Sequence, residues 1–241
     1  MPAPSGGNEV AQSRVGQNAG GGSAGQECGP IAAPSGWTKA GAVAGVAGPV
    51  AFTLAWVVAS LRQPGQSFTA VQISGLAADN ARDPWIMITG FVVLGCCAVW
   101  FGAALRPALG GRRQAGLGPT AVQAAGVLTI AVGLLRRDHV LLTAGAQSWH
   151  NQAHDVVSAV AYVLLVAAPL LLARRLWPDR DWHALAAPLA AAAVASAGLL
   201  AVFYLAPHSG VDGLLQRIAV SLPLAAIATV GARLTVLCRS R

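Results

Sequence analysis

The sequence predicts an all-α, polytopic membrane protein, a six-transmembrane-helix bundle that follows a disordered N-terminal tail. Three observations predict this fold class. Charged residues make up 10% of the 241 residues, whereas a soluble domain averages about 25%. Hydrophobic residues make up 55% of the chain, and the mean hydropathy is +0.57. Finally, the apolar residues are concentrated in six long runs.

The first 39 residues differ from the rest of the chain. They are rich in Gly, Ser, Pro, Asn and Gln and have neither helical nor strand periodicity. Such a segment cannot bury enough apolar surface to offset the entropy of ordering. The sequence therefore predicts a disordered tail over residues 1–39 and a transmembrane domain over residues 40–241.

Six apolar runs are long enough to be membrane spans, since a helix needs roughly 20 apolar residues to cross about 30 Å of hydrocarbon. The runs are approximately 40–61, 85–105, 115–135, 156–173, 183–205 and 214–237. The fourth run is the shortest, and we expect its helix to take in a turn from the preceding "SWHNQAHD". The sixth run contains Arg217 and Arg233, each close to an end, where a long side chain can reach the interface.

Basic residues predict the orientation in the membrane. If the tail is cytoplasmic, eleven basic residues lie on its side: Arg14, Lys39, Arg106, Arg112, Arg113, Arg174, Arg175, Arg180, Arg233, Arg239 and Arg241. Five lie on the other side: Arg62, Arg82, Arg136, Arg137 and Arg217. Loops bearing Lys and Arg resist translocation. We therefore predict a multi-pass membrane protein with both termini in the cytoplasm. High Ala, Gly and Arg with a single Lys indicate a GC-rich bacterial genome, so the expected location is a bacterial inner membrane.

Most of the side chains able to do chemistry fall on the predicted outer side. They are Asp79, Asp83, Asp138, Asp155, Asp212, His139, His150, His154 and His208. The first outer loop, "RQPGQSFTAVQISGLAADNARDP", is long for a structureless connection, and we expect part of it to fold back over the mouth of the bundle. We expect the segment 136–139 to form a solvated turn. The sequence thus predicts a polar pocket that faces outward.

Three segments resemble the bacterial membrane family catalogued as domain of unknown function 998. They are "VQISGLAADNARDPWIMITGFVVLGCCAVWFGAALR", "SWHNQAHDVVSAVAYVLLVAAPLLLARRL" and "GLLQRIAVSLPLAAIATVGARL", and the resemblance covers roughly residues 40–238. It places Ser74 on the family's Ile-Ser-acid motif, His154 before the fourth helix and Arg217 at the opening of the last. Gly75 stands where the family has an acidic residue, and Asp79 is the candidate substitute. The resemblance implies an architecture and candidate positions, but no reaction.

Two histidines suggest a metal site. His150 and His154 are four residues apart, so a helix would place both on one face, a spacing that suits two ligands of a divalent metal such as zinc. Further ligands would come from His208, Asp212, Asp79 or Asp83. Metal-activated water could then attack a lipid amide or ester, with Asp79 or Asp155 as base and Ser74 as orienting residue. The alternative is that these side chains hydrogen-bond each other, the outer loop and water.

Arg217 lies one turn into the last helix, where burial of a guanidinium is costly without a partner. It either reaches the interface or pairs with Asp212, Asp155 or an anionic lipid head group. His154, Arg217 and Asp212 are therefore the candidate binding residues for a lipid or small molecule.

The composition and motifs leave three functions open. The first is an integral membrane protein that binds a lipid or small molecule in the outer pocket. The others are the metal-dependent hydrolase and a small transporter or subunit of a membrane complex. The chain lacks a phosphate-binding Gly-rich loop, a nucleophile elbow and a zinc-protease motif. The expected partner is the lipid bilayer rather than nucleic acid. The sequence requires no cofactor, and a divalent metal such as zinc is the one candidate.

Overall fold

A computed structural model of the chain describes residues 35–65, 67–110, 116–141, 146–205 and 210–239. This part of the chain is helical and contains no strand. Six helices are long and apolar enough to cross a membrane: α1 Gly36–Arg62, α2 Pro84–Ala108, α3 Leu117–Leu134, α4 Trp149–Leu176, α5 His183–Leu205 and α6 Asp212–Arg239. The predicted fold class is confirmed, and the chain is a multi-pass membrane protein.

The first helix starts within the segment that the sequence assigned to the tail. Ser35 caps α1, because its hydroxyl accepts a hydrogen bond from the backbone N–H of Thr38 at 3.2 Å, and the helix begins at Gly36 rather than residue 40. A serine N-cap satisfies an N–H that has no partner within the helix. Residues 1–34, most of the predicted tail, lie outside the described residues.

The fourth helix begins at Trp149, so it takes in the turn that the sequence led us to expect. Ser148 is its N-cap and accepts a hydrogen bond from the Asn151 N–H at 3.2 Å. The Ser148 hydroxyl and N–H both donate to the Asp138 carboxylate. The start of the α3–α4 connection is thereby fixed to the N-cap of α4.

This cap gives a prediction about pH. The hydrogen bonds from Ser148 hold the pKa of Asp138 below its ordinary value of 3.8. A carboxyl whose pKa is lowered in the folded state contributes stability above its unfolded pKa and loses it as pH falls through the folded pKa. Asp138→Asn should therefore lower the thermal unfolding temperature at neutral pH, and the difference from wild type should shrink below pH 3.8. A difference that stays constant through acid pH would contradict this role.

The six helices form a ring. Each helix packs against the next in the chain, α6 returns to pack against α1, and α4 also touches α6. The even number of spans brings Gly36 and Arg239 to the same end of the ring, which we call the terminal end. The C-terminal ends of α1, α3 and α5 and the N-terminal ends of α2, α4 and α6 lie at the opposite end, which we call the plug end.

Candidate functional site

The α1–α2 connection folds back into the ring and closes its plug end. Residues 71–78, which we call the plug, are eight consecutive buried residues, and four of them form a 3₁₀ turn, Ser74–Ala77. Val71, Ile73 and Leu76 are each 2% exposed and pack against Phe52, Met87 and Phe91. Burial of these apolar side chains explains why a loop occupies the interior here. The prediction that this loop covers the bundle mouth is confirmed.

Two glycines allow the backbone of the plug to lie in close contact with the backbone of neighbouring segments. A Cβ atom at Gly75 would lie 2.2 Å from the carbonyl oxygen of Val140, and one at Gly213 would lie 2.2 Å from the carbonyl oxygen of Val71. The Leu214 N–H also donates to the Thr69 carbonyl at 2.9 Å. The plug is thus held between the α3–α4 connection and the first turn of α6.

Arg217 anchors the plug to α6. Its side chain is 3% exposed, and its NH1 atom donates to the carbonyl oxygens of Phe68 at 2.8 Å and Val71 at 2.7 Å. The NH2 atom donates to the Ser60 hydroxyl at 3.0 Å. The guanidinium lies over the rings of Phe68 and Trp56, at 4.3 and 5.3 Å from their centroids, where a cation is attracted electrostatically. Arg217 therefore neither reaches out to the interface nor binds a carboxylate through these atoms; it serves as a donor to the loop backbone.

Arg137 holds the other side of the plug. It is 3% exposed, its NH1 atom donates to the Gln72 side-chain oxygen at 2.8 Å, and its carbonyl accepts from the Asp79 N–H at 2.9 Å. Burial lowers the pKa of Arg137, while Asp155 at longer range opposes this effect. The expectation that segment 136–139 is a solvated turn is therefore wrong for Arg137, because the loop backbone turns its side chain toward the plug.

A cavity lies in the ring beneath the plug. Its wall comes from five helices, α1 to α4 and α6, and from plug residues Ile73 and Ser74. The wall on α2 extends from Phe91 to Phe101, a separation of ten residue steps that covers about 15 Å of helix. The volume is about 70 Å³, whereas a single water needs about 10–15 Å³. The cavity is therefore long and narrow, with room for a slender group or several waters.

The polar groups of the cavity lie in the half nearer the plug. The wall is apolar except for five side chains, Ser74, Thr129, Ser158, Tyr162 and Gln216. The Gln216 amide joins three parts of the wall: its oxygen accepts from the Ile73 N–H, and its nitrogen donates to the Tyr162 hydroxyl at 2.6 Å. The Ser158 hydroxyl is buried without a hydrogen-bond partner in the described part of the chain.

The three predicted catalytic residues do not meet. Ser74 lies in the cavity wall. Asp79 is exposed and pairs with Arg136 at 2.9 Å. Asp155 is exposed on α4 and accepts a hydrogen bond from the Asn151 amide at 3.1 Å. The two carboxylates therefore lie on the surface, while Ser74 is a buried plug residue that lines the cavity.

The two predicted histidine ligands also have separate environments. His150 is exposed, and its ring centroid is 3.7 Å from that of Trp149. His154 is 2% exposed, and its Nδ1 atom hydrogen-bonds the carbonyl oxygens of Val132, at 3.2 Å, and Leu135 at the end of α3. Among the described residues, no group of three or more His, Cys, Asp or Glu side chains could hold a metal. His208 lies outside the described residues.

The remaining predicted binding residue, Asp212, is buried in the first turn of α6. The structure adds residues that the sequence analysis did not single out, namely Ser158, Tyr162 and Gln216. Ser158 and Tyr162 are spaced four residues apart, as are His154 and Ser158, so a search for polar residues on one face of α4 could have found them. Nothing in the sequence marks Gln216 as the hydrogen-bond partner of Tyr162.

Comparison with known proteins places the chain in a family. Residues 46–233, from α1 through the plug and cavity wall into α6, match the family model described as "Protein of unknown function (DUF998)". No curated protein and no solved structure matches the chain. Since the matched segment covers well over half of the sequence, the chain belongs to the DUF998 family.

Proposed function

We propose that this membrane protein binds the apolar part of a lipid or small amphipathic molecule in the cavity beneath the plug. The observation that carries the proposal is the long, narrow and mainly apolar cavity, with polar side chains gathered in the half nearer the plug. Ligand sites combine predominantly apolar walls with a few polar groups that fix orientation. An amphipathic molecule matches both parts of this wall.

The unfilled space within this wall favours a ligand-binding role over a purely structural one. A well-packed interior fills its space at a density close to that of organic crystals, and an apolar void forgoes contacts that a bound chain would restore. Burial of apolar surface contributes about 25 cal/mol per Å². A chain that entered the cavity would gain these contacts, and its polar end would meet Ser74, Ser158 or Tyr162.

We also propose that the plug end faces the outside of the cell. The division of basic residues supports this orientation, with eleven on the side of the termini and five on the other. It would place the terminal end and the segment 1–39 in the cytoplasm, and the plug at the outer surface of a bacterial inner membrane. Ligand would then enter from the outer leaflet or from the space beyond it.

Filling the cavity tests the proposed function. Ala125 and Ala161 are 5% and 8% exposed and both line the cavity. Ala125→Leu or Ala161→Leu should occupy the space that the ligand needs, and should raise the free energy of unfolding by about 0.5–2 kcal/mol, as cavity-filling changes commonly do. We expect both variants to lose lipids that co-purify with the wild type, as measured by mass spectrometry of the protein released from detergent.

The matched control is Ala197→Leu, which adds the same atoms on the exposed face of α5. Because α5 contributes nothing to the described cavity wall, this change should leave the bound molecules unaltered. Cavity-filled variants that retain the same co-purified molecules in the same amounts would overturn the proposed function.

A further inference from the structure

We infer that the ligand is an uncharged amphiphile whose polar end carries a hydroxyl or carbonyl oxygen, and that Ser158 and Tyr162 bind this oxygen. This inference rests on the proposed function, because it names the chemical class of molecule that the same cavity takes. It follows from the unused hydrogen-bonding capacity in the wall and from the charges around it.

Ser158 has a buried hydroxyl with its full hydrogen-bonding capacity unused. Hydroxyls in helices often donate to the carbonyl one turn earlier, and Thr129, also in the cavity wall, does so to Ala125 at 2.7 Å. Ser158 does not: it is 8% exposed, and its oxygen has no partner among the described residues. Buried polar groups are nearly always satisfied, so a group that enters the cavity is the natural partner for this hydroxyl.

Tyr162 offers a second group. Its oxygen accepts from the Gln216 side-chain nitrogen at 2.6 Å, and a nitrogen of this kind can only donate. The phenolic proton therefore remains free to donate to another acceptor. Ser158 and Tyr162 both line the cavity and, four residues apart on α4, have Cβ atoms about 5–6 Å apart. Both side chains line the half of the cavity nearer the plug, so each hydroxyl is available to an oxygen-bearing end group that enters there.

The charges around the cavity indicate that this end group is neutral. The described wall contains no Asp, Glu, Lys, Arg or His, and an isolated charge is costly to bury. The two buried guanidinium groups nearby, Arg137 and Arg217, are not part of the wall, and they donate to Gln72 and to the plug backbone. An anionic head group would find no counter-charge in the cavity, whereas an alcohol or ester oxygen needs none.

Competition against a photoreactive alcohol tests this inference. The probe is dodecanol with a diazirine on its chain, presented to the full-length protein in lipid nanodiscs, and the labelled residues are mapped by peptide mass spectrometry. We expect labelling of cavity-wall residues, competition by dodecanol and dodecane, and no competition by the permanently anionic dodecyl sulfonate. Ser158→Ala should weaken competition by dodecanol about three- to tenfold, the value of one hydrogen bond, and leave competition by dodecane unchanged.

Two further variants keep the result interpretable. Ser158→Thr retains a hydroxyl and should retain wild-type competition by dodecanol. Ser196→Ala removes a buried hydroxyl on α5 that donates to the Ala219 carbonyl at 2.6 Å, away from the cavity wall, and should alter neither competitor. Tyr162→Phe should weaken competition by dodecanol, as Ser158→Ala does.

The outcomes separate this inference from the proposed function. If dodecane and dodecanol both compete and cavity residues are labelled, but Ser158→Ala and Tyr162→Phe do not alter competition by dodecanol, the inference is wrong and the proposed function stands. Equal competition by dodecyl sulfonate would likewise overturn only the inference. Absence of labelling in the cavity wall, with or without competitors, would overturn both.

Discussion

Replacement of Arg217 by Met is expected to lower the free energy of unfolding by about 2–4 kcal/mol. The change leaves the carbonyl oxygens of Phe68 and Val71 without the donor that the structure gives them. Each buried polar group left without a partner costs about 1–3 kcal/mol. The variant no longer has to bury the Arg217 cation, and this gain offsets part of the cost. Thermal and denaturant unfolding of the purified protein in a mild detergent measures the difference.

The matched control is Arg233→Met on the same helix. Arg233 also donates two hydrogen bonds to a backbone oxygen, that of Asp181, but its bonds are exposed, so water can replace them. We expect a change within about 0.5 kcal/mol, as for most surface substitutions. Equal losses in the two variants would contradict the role of Arg217 as the anchor of the plug.

Replacement of Gly213 by Ala is expected to displace the plug. The new Cβ would lie 2.2 Å from the Val71 carbonyl oxygen and 2.6 Å from the Arg217 NH1 atom, so the backbone of the plug has to move. Overpacking of this kind typically costs about 1–3 kcal/mol, and here it also separates Val71 from Arg217. A cysteine at Val71, in a chain whose native cysteines are changed to alanine, should react with a membrane-impermeant maleimide faster when Gly213→Ala is present.

Gly198→Ala controls for the general effect of adding a methyl group to a helix. A Cβ at Gly198 would meet no atom within 4 Å, and Ala is favoured over Gly in a helix by about 1 kcal/mol. This variant should be as stable as wild type or more stable, with unchanged labelling at position 71. Slow labelling in both glycine variants would show that the plug does not depend on the close approach at Gly213.

The spans could be predicted from the sequence because the physical requirement is simple. Only long apolar helices are stable spans in hydrocarbon. Each of the six runs is long and apolar enough by itself, whatever structure its flanking residues adopt. The helix ends were harder to predict. Ser35 extends α1 to Gly36 by capping the Thr38 N–H, and a lone serine in a polar segment gives little indication that it will cap a helix. The extension of α4 was expected, because its apolar run is short for a membrane span.

The candidate site could be predicted only in part, because capacity to ionise is the criterion that most clearly marks a candidate residue in a membrane sequence. That criterion identified Arg217 but not its hydrogen-bond acceptors, which are backbone carbonyls in a loop more than 140 residues earlier in the chain. It favoured Asp79 and Asp155, which are exposed, over Ser158, whose neutral hydroxyl lies in the cavity wall. Which residues come together in this way depends on how the loops fold, and the helical periodicity of the sequence does not indicate it.

The location of a bound chain tests the central claim most directly. A crystal structure of the protein with dodecanol brominated at the end of its chain would reveal the bromine through its anomalous scattering. The account predicts a bromine site inside the ring, among the apolar wall residues near Phe101 and Val122, with the alcohol oxygen beside Ser158 and Tyr162. Bromine sites confined to the lipid-facing surface, with the space beneath the plug free of ligand density, would contradict it.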